Sequence, residues 1–112
     1  MTRKNAAQIE RRLKHYGVYK PYVSAEGKRL IIESYPLTAY IADGGCDPEV
    51  GPVQNVRILD CSLSRIGEDP VISTFRVEMT KDVLAVVGHA LVGFHQPAYE
   101  RAMEQENSWR KD

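Results

Sequence analysis

Cysteine is scarce in this chain. Of 112 residues only Cys46 and Cys61 carry a thiol, too few for a disulfide framework and spaced like no metal-binding or redox pair. Both are expected to be free, Cys61 buried as a small apolar side chain on a strand and Cys46 in a loop, the more reactive of the two. Long apolar runs are missing as well: no stretch reaches the length of a bilayer-spanning helix, and the N-terminus lacks the apolar core and cleavage site of a secretory leader. No membrane partner is therefore expected, and the expected setting is reducing and cytoplasmic. Net charge is absent too. Fifteen basic side chains balance fifteen acidic ones, so no overall field draws the molecule to nucleic acid or anionic lipid.

Recognisable chemical motifs are equally few. His15, His89 and His95 are the histidines; His89 and His95, six apart, fall on different faces of a continuous helix, and no helical zinc-protease pattern surrounds them. Asp43, Cys46, Asp47 and Glu49 share one segment but lack the alternating carboxylates and distal glutamate of a calcium loop. Gly44-Gly45 lacks phosphate-loop spacing and sits among negative charges. No cofactor and no metal are expected, and no repeat or low-complexity tract is present.

What is present is an ordinary globular composition, 43% hydrophobic and 27% charged, over a length that suits one domain. A chain this long removes about two-thirds of its unfolded surface from water, so apolar burial alone can hold it together. Residues 1–112 are read as a single α+β domain: an N-terminal helix, an antiparallel sheet of four to five strands built from two hairpins, and C-terminal helices packed on one face.

Asn5 with Gln8 reads as a capping box opening a helix from Ala6 to Tyr16, with Ile9, Leu13 and Tyr16 on one side, Gly17 as its stop and Val18 folding back onto the last turn. Val18 to Val23 and Lys28 to Tyr35 form the arms of a first hairpin around residues 24–27, with Pro21 keeping the first arm short or at an edge. Leu37 to Ala42 continues beyond Pro36, and the glycine- and proline-rich residues 43–52 read as a loop. A second hairpin joins Val56–Arg65 to Val71–Met79 across residues 66–70. Its apolar pattern favours Leu63 opposite Ser73, Cys61 opposite Phe75 and Leu59 opposite Val77, with Asp60 meeting Arg76 on the wet face. Residues 83–94 are apolar on nearly every side, which fits either a buried helix or an inner strand over Val83–Val87. Pro97 suits the first turn of a further helix toward Trp109.

Two uneven distributions bear on function. Residues 1–29 hold eight basic side chains against two acidic ones, whereas residues 30–60 hold one against five. Five of the six tyrosines, Tyr16, Tyr19, Tyr22, Tyr35 and Tyr40, crowd into the same half. The first functional expectation is thus a small non-catalytic, accessory binding domain whose pocket between sheet and helices, lined by Tyr19, Tyr22, Tyr35 and Tyr40, takes a small organic ligand. The second is an interaction or regulatory protein that binds nucleic acid or an acidic protein through Arg11, Arg12, Lys14, Lys20 and Lys28. A third is an enzyme pairing His89 or His95 with Asp43 or Glu33. Half-buried strand tyrosines also need no ligand at all. The surplus apolar surface of residues 83–94 predicts a homodimer through that region.

Overall fold

The computed structural model describes residues 1–64 and 67–110. Helix α1 (Arg3–His15) leads into strands β1 (Tyr22–Glu26), β2 (Arg29–Ser34), β3 (Leu37–Asp47) and β4 (Gly51–Asp60); the short helix α2 (Cys61–Ser64), strand β5 (Val71–Glu78) and helix α3 (Val83–Arg110) follow. The five strands form one antiparallel meander in the order β1-β2-β3-β4-β5. Both long helices lie on one face, so the α+β class expected from the sequence is the one observed.

Helix α1 begins three residues before the expected Ala6. Thr2 caps it by accepting the Asn5 N–H at 3.2 Å, so Asn5 lies within the helix instead of capping it. The end follows expectation. Gly17 at φ 99° donates to the Lys14 carbonyl and Val18 to that of Leu13, the paired bonds of a left-handed helix stop. Leu13 and Val18 are both buried where they meet the core.

Along the sheet, alternate residues turn to the helices. Val23, Ile32, Ala39 and Ile58 form one inward row across four strands, and Ile41 and Val56 belong to the next. Helix α3 presents Val87, Leu91, Phe94, Ala98 and Ala102 to these rows, a stripe recurring every three or four residues. Residues 83–94 are therefore helical. The stripe runs through Pro97, so one helix stands where two were expected. Proline denies the Gly93 carbonyl its partner, yet Gly93 and Pro97 are both exposed, and water can take that carbonyl. Gly88 lets the Tyr16 ring lie against α3: a Cβ there would sit 3.1 Å from that ring. Most of the apolar surface of residues 83–94 is thereby spent on the chain's own core, leaving Val86 and Val92 exposed.

The segment read as a loop, residues 43–52, instead completes a β3–β4 hairpin. Its glycines serve a bulge. The register shifts between Asp43 and Cys46, Gly45 takes φ 78°, and a Cβ on Gly44 would sit 2.7 Å from the Asn55 side-chain oxygen. The Asp47 carboxylate then accepts the Glu49 and Val50 N–H groups and closes the turn. Those bonds, with Arg76 nearby, hold its pKa below the ordinary aspartate value.

The second hairpin is also set differently. Val56 faces Phe75 and Ile58 faces Ser73, five positions from the expected register. An odd slip exchanges the faces of β4, turning Val56, Ile58 and Asp60 inward. Asp60 is the cause: its carboxylate accepts the Ser62 N–H at 2.9 Å and hydroxyl at 2.6 Å, ending the strand and starting α2. Cys61, expected buried, is exposed at that helix start. The expected Asp60–Arg76 pair is replaced by two others, Asp60 with Arg101 at 2.6 Å and Arg76 with Asp47 at 3.3 Å. Arg65 and Ile66, placed by the sequence reading in the strand end and turn, lie outside the described residues.

At the β1 edge, α1 satisfies the outward backbone of Val23. Glu10 accepts its N–H at 2.8 Å, and Arg3 donates to its carbonyl at 3.2 Å while bonding Glu10. The Val23 N–H and the Arg3 guanidinium, in that order, hold the Glu10 pKa below the ordinary glutamate value. A lowered native value means that this stabilisation is complete above the ordinary glutamate pKa of about 4.3 and is lost as pH falls through the native one. Glu10→Ala strands a buried N–H and is expected to cost on the order of 1 kcal/mol at neutral pH. Glu10→Gln is expected to make the acid limb of the stability profile shallower, which denaturant titrations at successive pH values would measure.

Candidate functional site

The sheet face turned away from the helices carries no covering layer among the described residues. Pairing sets its side chains in rows: Ser24, Ile31, Tyr40, Arg57 and Thr74 across all five strands, and Tyr22, Glu33, Thr38 and Leu59 beside them. Tyr40 lies directly opposite Arg57. The Arg29 guanidinium sits 4.5 Å from the centre of the Tyr40 ring, a cation held over an aromatic face. These residues, with Ala42, Asn55 and Leu59, line a groove of about 380 Å³. No carboxylate lines it; Glu26 bonds Arg29 from the side at 3.3 Å. Toward the β1 edge the arrangement repeats, with Arg3 5.0 Å from the Tyr22 ring centre. Tyr22 and Tyr40 are two strands and one row apart, about 12 Å by ordinary strand spacing and rise.

The four tyrosines expected to line one pocket thus separate into two groups. Tyr22 and Tyr40 share the bare face. Tyr19 packs against His95 at 5.0 Å and Tyr99 at 6.2 Å, with Lys20 over its ring at 5.4 Å. Tyr35 joins that second cluster through its carbonyl, 3.1 Å from His95 Nε2, while its exposed ring borders a shallow depression with Glu33, Thr38 and Cys61.

The basic residues expected to act together are spread over three elements. Arg11 and Lys14 are exposed on α1, Lys20 lies in the segment after it, and Lys28 stands in the β1–β2 turn. Arg12 is engaged with Asp82 and with the Tyr16 hydroxyl.

Neither histidine forms a pair of the kind acid–base catalysis uses. His89 meets the edge of Tyr16, and His95 lies within its aromatic cluster. Among the described residues neither bonds a carboxylate, and no three metal-ligating side chains converge.

The residues that the sequence reading passed over are Arg3, Arg29, Asn55 and Arg57. A signal for three of them existed: Arg29 and Ile31, Tyr40 and Ala42, and Asn55, Arg57 and Leu59 alternate with the buried positions of β2, β3 and β4, marking them as one wet face once those strands are paired. Among the described residues no helix is long and apolar enough to cross a membrane. Comparison with protein-family models, with curated proteins and with solved structures finds no match to this chain.

Proposed function

We propose that the protein is a non-catalytic binding module whose bare sheet face takes single-stranded nucleic acid. The observation that carries this reading is the Arg29–Tyr40–Arg57 constellation on an uncovered antiparallel sheet. The half-buried Tyr40 ring, with Arg29 over it, offers a base the remaining part of its surface and the guanidinium plane to stack on, and the guanidinium groups offer hydrogen bonds and charge to phosphates. The second cation–aromatic pair, Arg3 with Tyr22, gives the same ligand a second place to stack. A zero net charge sets no obstacle here, because the arginines act at contact distance and not through a long-range field.

The test is fluorescence anisotropy with a short labelled single-stranded oligonucleotide at low ionic strength. Tyr40→Ala is expected to weaken binding about tenfold. Arg57→Ala is expected to weaken it and to lower the slope of log affinity against log salt by about one. Absence of binding at low salt, or binding indifferent to both substitutions, would refute the reading.

A small organic anion with a flat body is the second reading, favoured by the size of the Tyr40 groove, which falls within the range of ligand sites. It predicts that a mononucleotide or an aromatic carboxylate binds as tightly as the oligonucleotide and that Tyr22→Ala has no effect.

A further inference from the structure

We propose that β5 is a self-association edge: two copies of the chain pair antiparallel along it about a two-fold axis, joining two five-stranded sheets into one. The inference is independent of the nucleic-acid reading and rests on how differently the two sheet edges are finished. At β1, helix α1 bonds the outward backbone groups of Val23 through Glu10 and Arg3. At β5, among the described residues, no side chain bonds the outward groups of Thr74 or Arg76.

The phase of the ladder identifies those groups. Met79 donates its N–H to the Pro52 carbonyl at 2.9 Å, so the backbone of Met79, Val77 and Phe75 faces β4, while that of Thr74, Arg76 and Glu78 faces outward. The Glu78 carbonyl already accepts the Lys81 N–H and keeps one lone pair free. Sequence blunts this edge only with the charges of Arg76 and Glu78, which are of opposite sign. Residues 73–78 contain no proline, glycine or lysine, and the one register shift of β5 lies before them, between Ile58 and Leu59 on the neighbouring strand.

Self-pairing is constrained twice over, and of the registers that meet both constraints one also pairs opposite charges and avoids the irregular start of β5. In a merged sheet, paired residues share a face, so outward-bonding residues must meet outward-bonding residues. An axis through Arg76 would set two guanidinium groups against each other. An axis through Val77 instead places Arg76 opposite the partner's Glu78, and the reverse, and sets Phe75 beside the partner's Met79. Two ion pairs and two aromatic–thioether contacts then form together with the backbone bonds. Met79 is 47% exposed in the single chain, and this register covers it. Arg76 gives up or shares its contact with Asp47, which is weak at a side chain 66% exposed. Residues 83–94, the dimer surface expected from the sequence, retain only Val86 and Val92 as large exposed apolar side chains.

Sedimentation velocity of the full chain over a concentration series tests the proposal. The expected result is a reversible dimer, weakened about tenfold or more by Arg76→Glu or by Glu78→Arg and restored when both are combined, because the swapped charges again face opposite signs. Should either variant fail to fold by circular dichroism, Met79→Glu, at an exposed position beyond the strand, is expected to abolish the dimer. A monomer at every concentration overturns the proposal. So does a dimer that ignores these three substitutions and dissociates on Val86→Lys or Val92→Glu.

Discussion

Replacing Asp60 by alanine is expected to destabilise the protein by about 2–4 kcal/mol and to lower its melting temperature by roughly 10–25 °C. The carboxylate is fully buried where β4 ends. One oxygen accepts the Ser62 N–H and hydroxyl, and the other accepts Arg101 Nη2 from α3 at 2.6 Å. Its loss leaves two buried donors of Ser62 and a cation of α3 without their acceptor, and each stranded group carries its desolvation cost. Of the two groups at this junction already buried without partners, Arg101 Nε and Gln105 Oε1, only the Gln105 oxygen could accept one of the stranded donors. The figure stays below that for a fully buried pair, since the Arg101 side chain is 40% exposed. Asp60→Asn, which keeps an oxygen for Ser62 but removes the charge facing Arg101, is expected to fall between. Asp60→Ala combined with Arg101→Met should cost less than the sum of the single changes, because the two groups are directly coupled. Denaturant unfolding of the parent, the three single variants and the double variant measures these effects; an Asp60→Ala variant as stable as its parent would show that this junction does not hold α2 and α3 to the sheet.

Ile58→Ala is expected to cost about 3–4 kcal/mol, seen as a fall of roughly 15–25 °C in melting temperature. Ile58 has no exposed surface and sits on the inner face of β4. Its cross-strand neighbours on that face are Ala39 and Ser73, both small, so the isoleucine fills space that they leave. Truncation opens a cavity that short neighbours on a hydrogen-bonded sheet cannot close, which places the cost in the upper part of the usual range. Ile58→Val removes a single methylene and should cost about 1 kcal/mol. Equal effects of the two substitutions would mean that the site collapses freely.

These two positions also mark how far the sequence can be read. The apolar residues around Ile58 are enough to identify a strand, but the register they favour sets Ile58 on the wet face with Asp60, whereas both turn inward. Asp60 looks like a wet-face residue of the same strand, because composition does not reveal that its carboxylate takes both donors of Ser62, two residues on, and meets an arginine 41 positions later in the chain. Once Asp60 ended the strand, the whole register of the hairpin moved with it. The Gly-Gly and proline content of residues 43–52 misleads for a related reason. Turn-forming residues also build bulges, and the choice between loop and bulged hairpin depends on whether a partner strand is present to pair with.

The candidate site divides in the same way. Tyr22 and Tyr40 were legible as members of a tyrosine-rich region, but their separation from Tyr19 and Tyr35 was not, since a side chain's face depends on strand phase and on where α1 and α3 come to lie. The arginines beside them come from α1, β2 and β4 and meet the rings only after folding.

By itself the sequence determined the class of the fold, the end of the first helix at Gly17, and the hydrophobic alternation that makes one face of a sheet dry, because these depend on neighbours a few residues apart. The tertiary structure decided the register of the second hairpin, the passage of one helix through Pro97, the two finishes of the sheet edges and the meeting of arginine with tyrosine on the bare face. Each of those turns on contacts between segments distant in the chain, where competing local preferences are similar in energy and long-range packing selects among them.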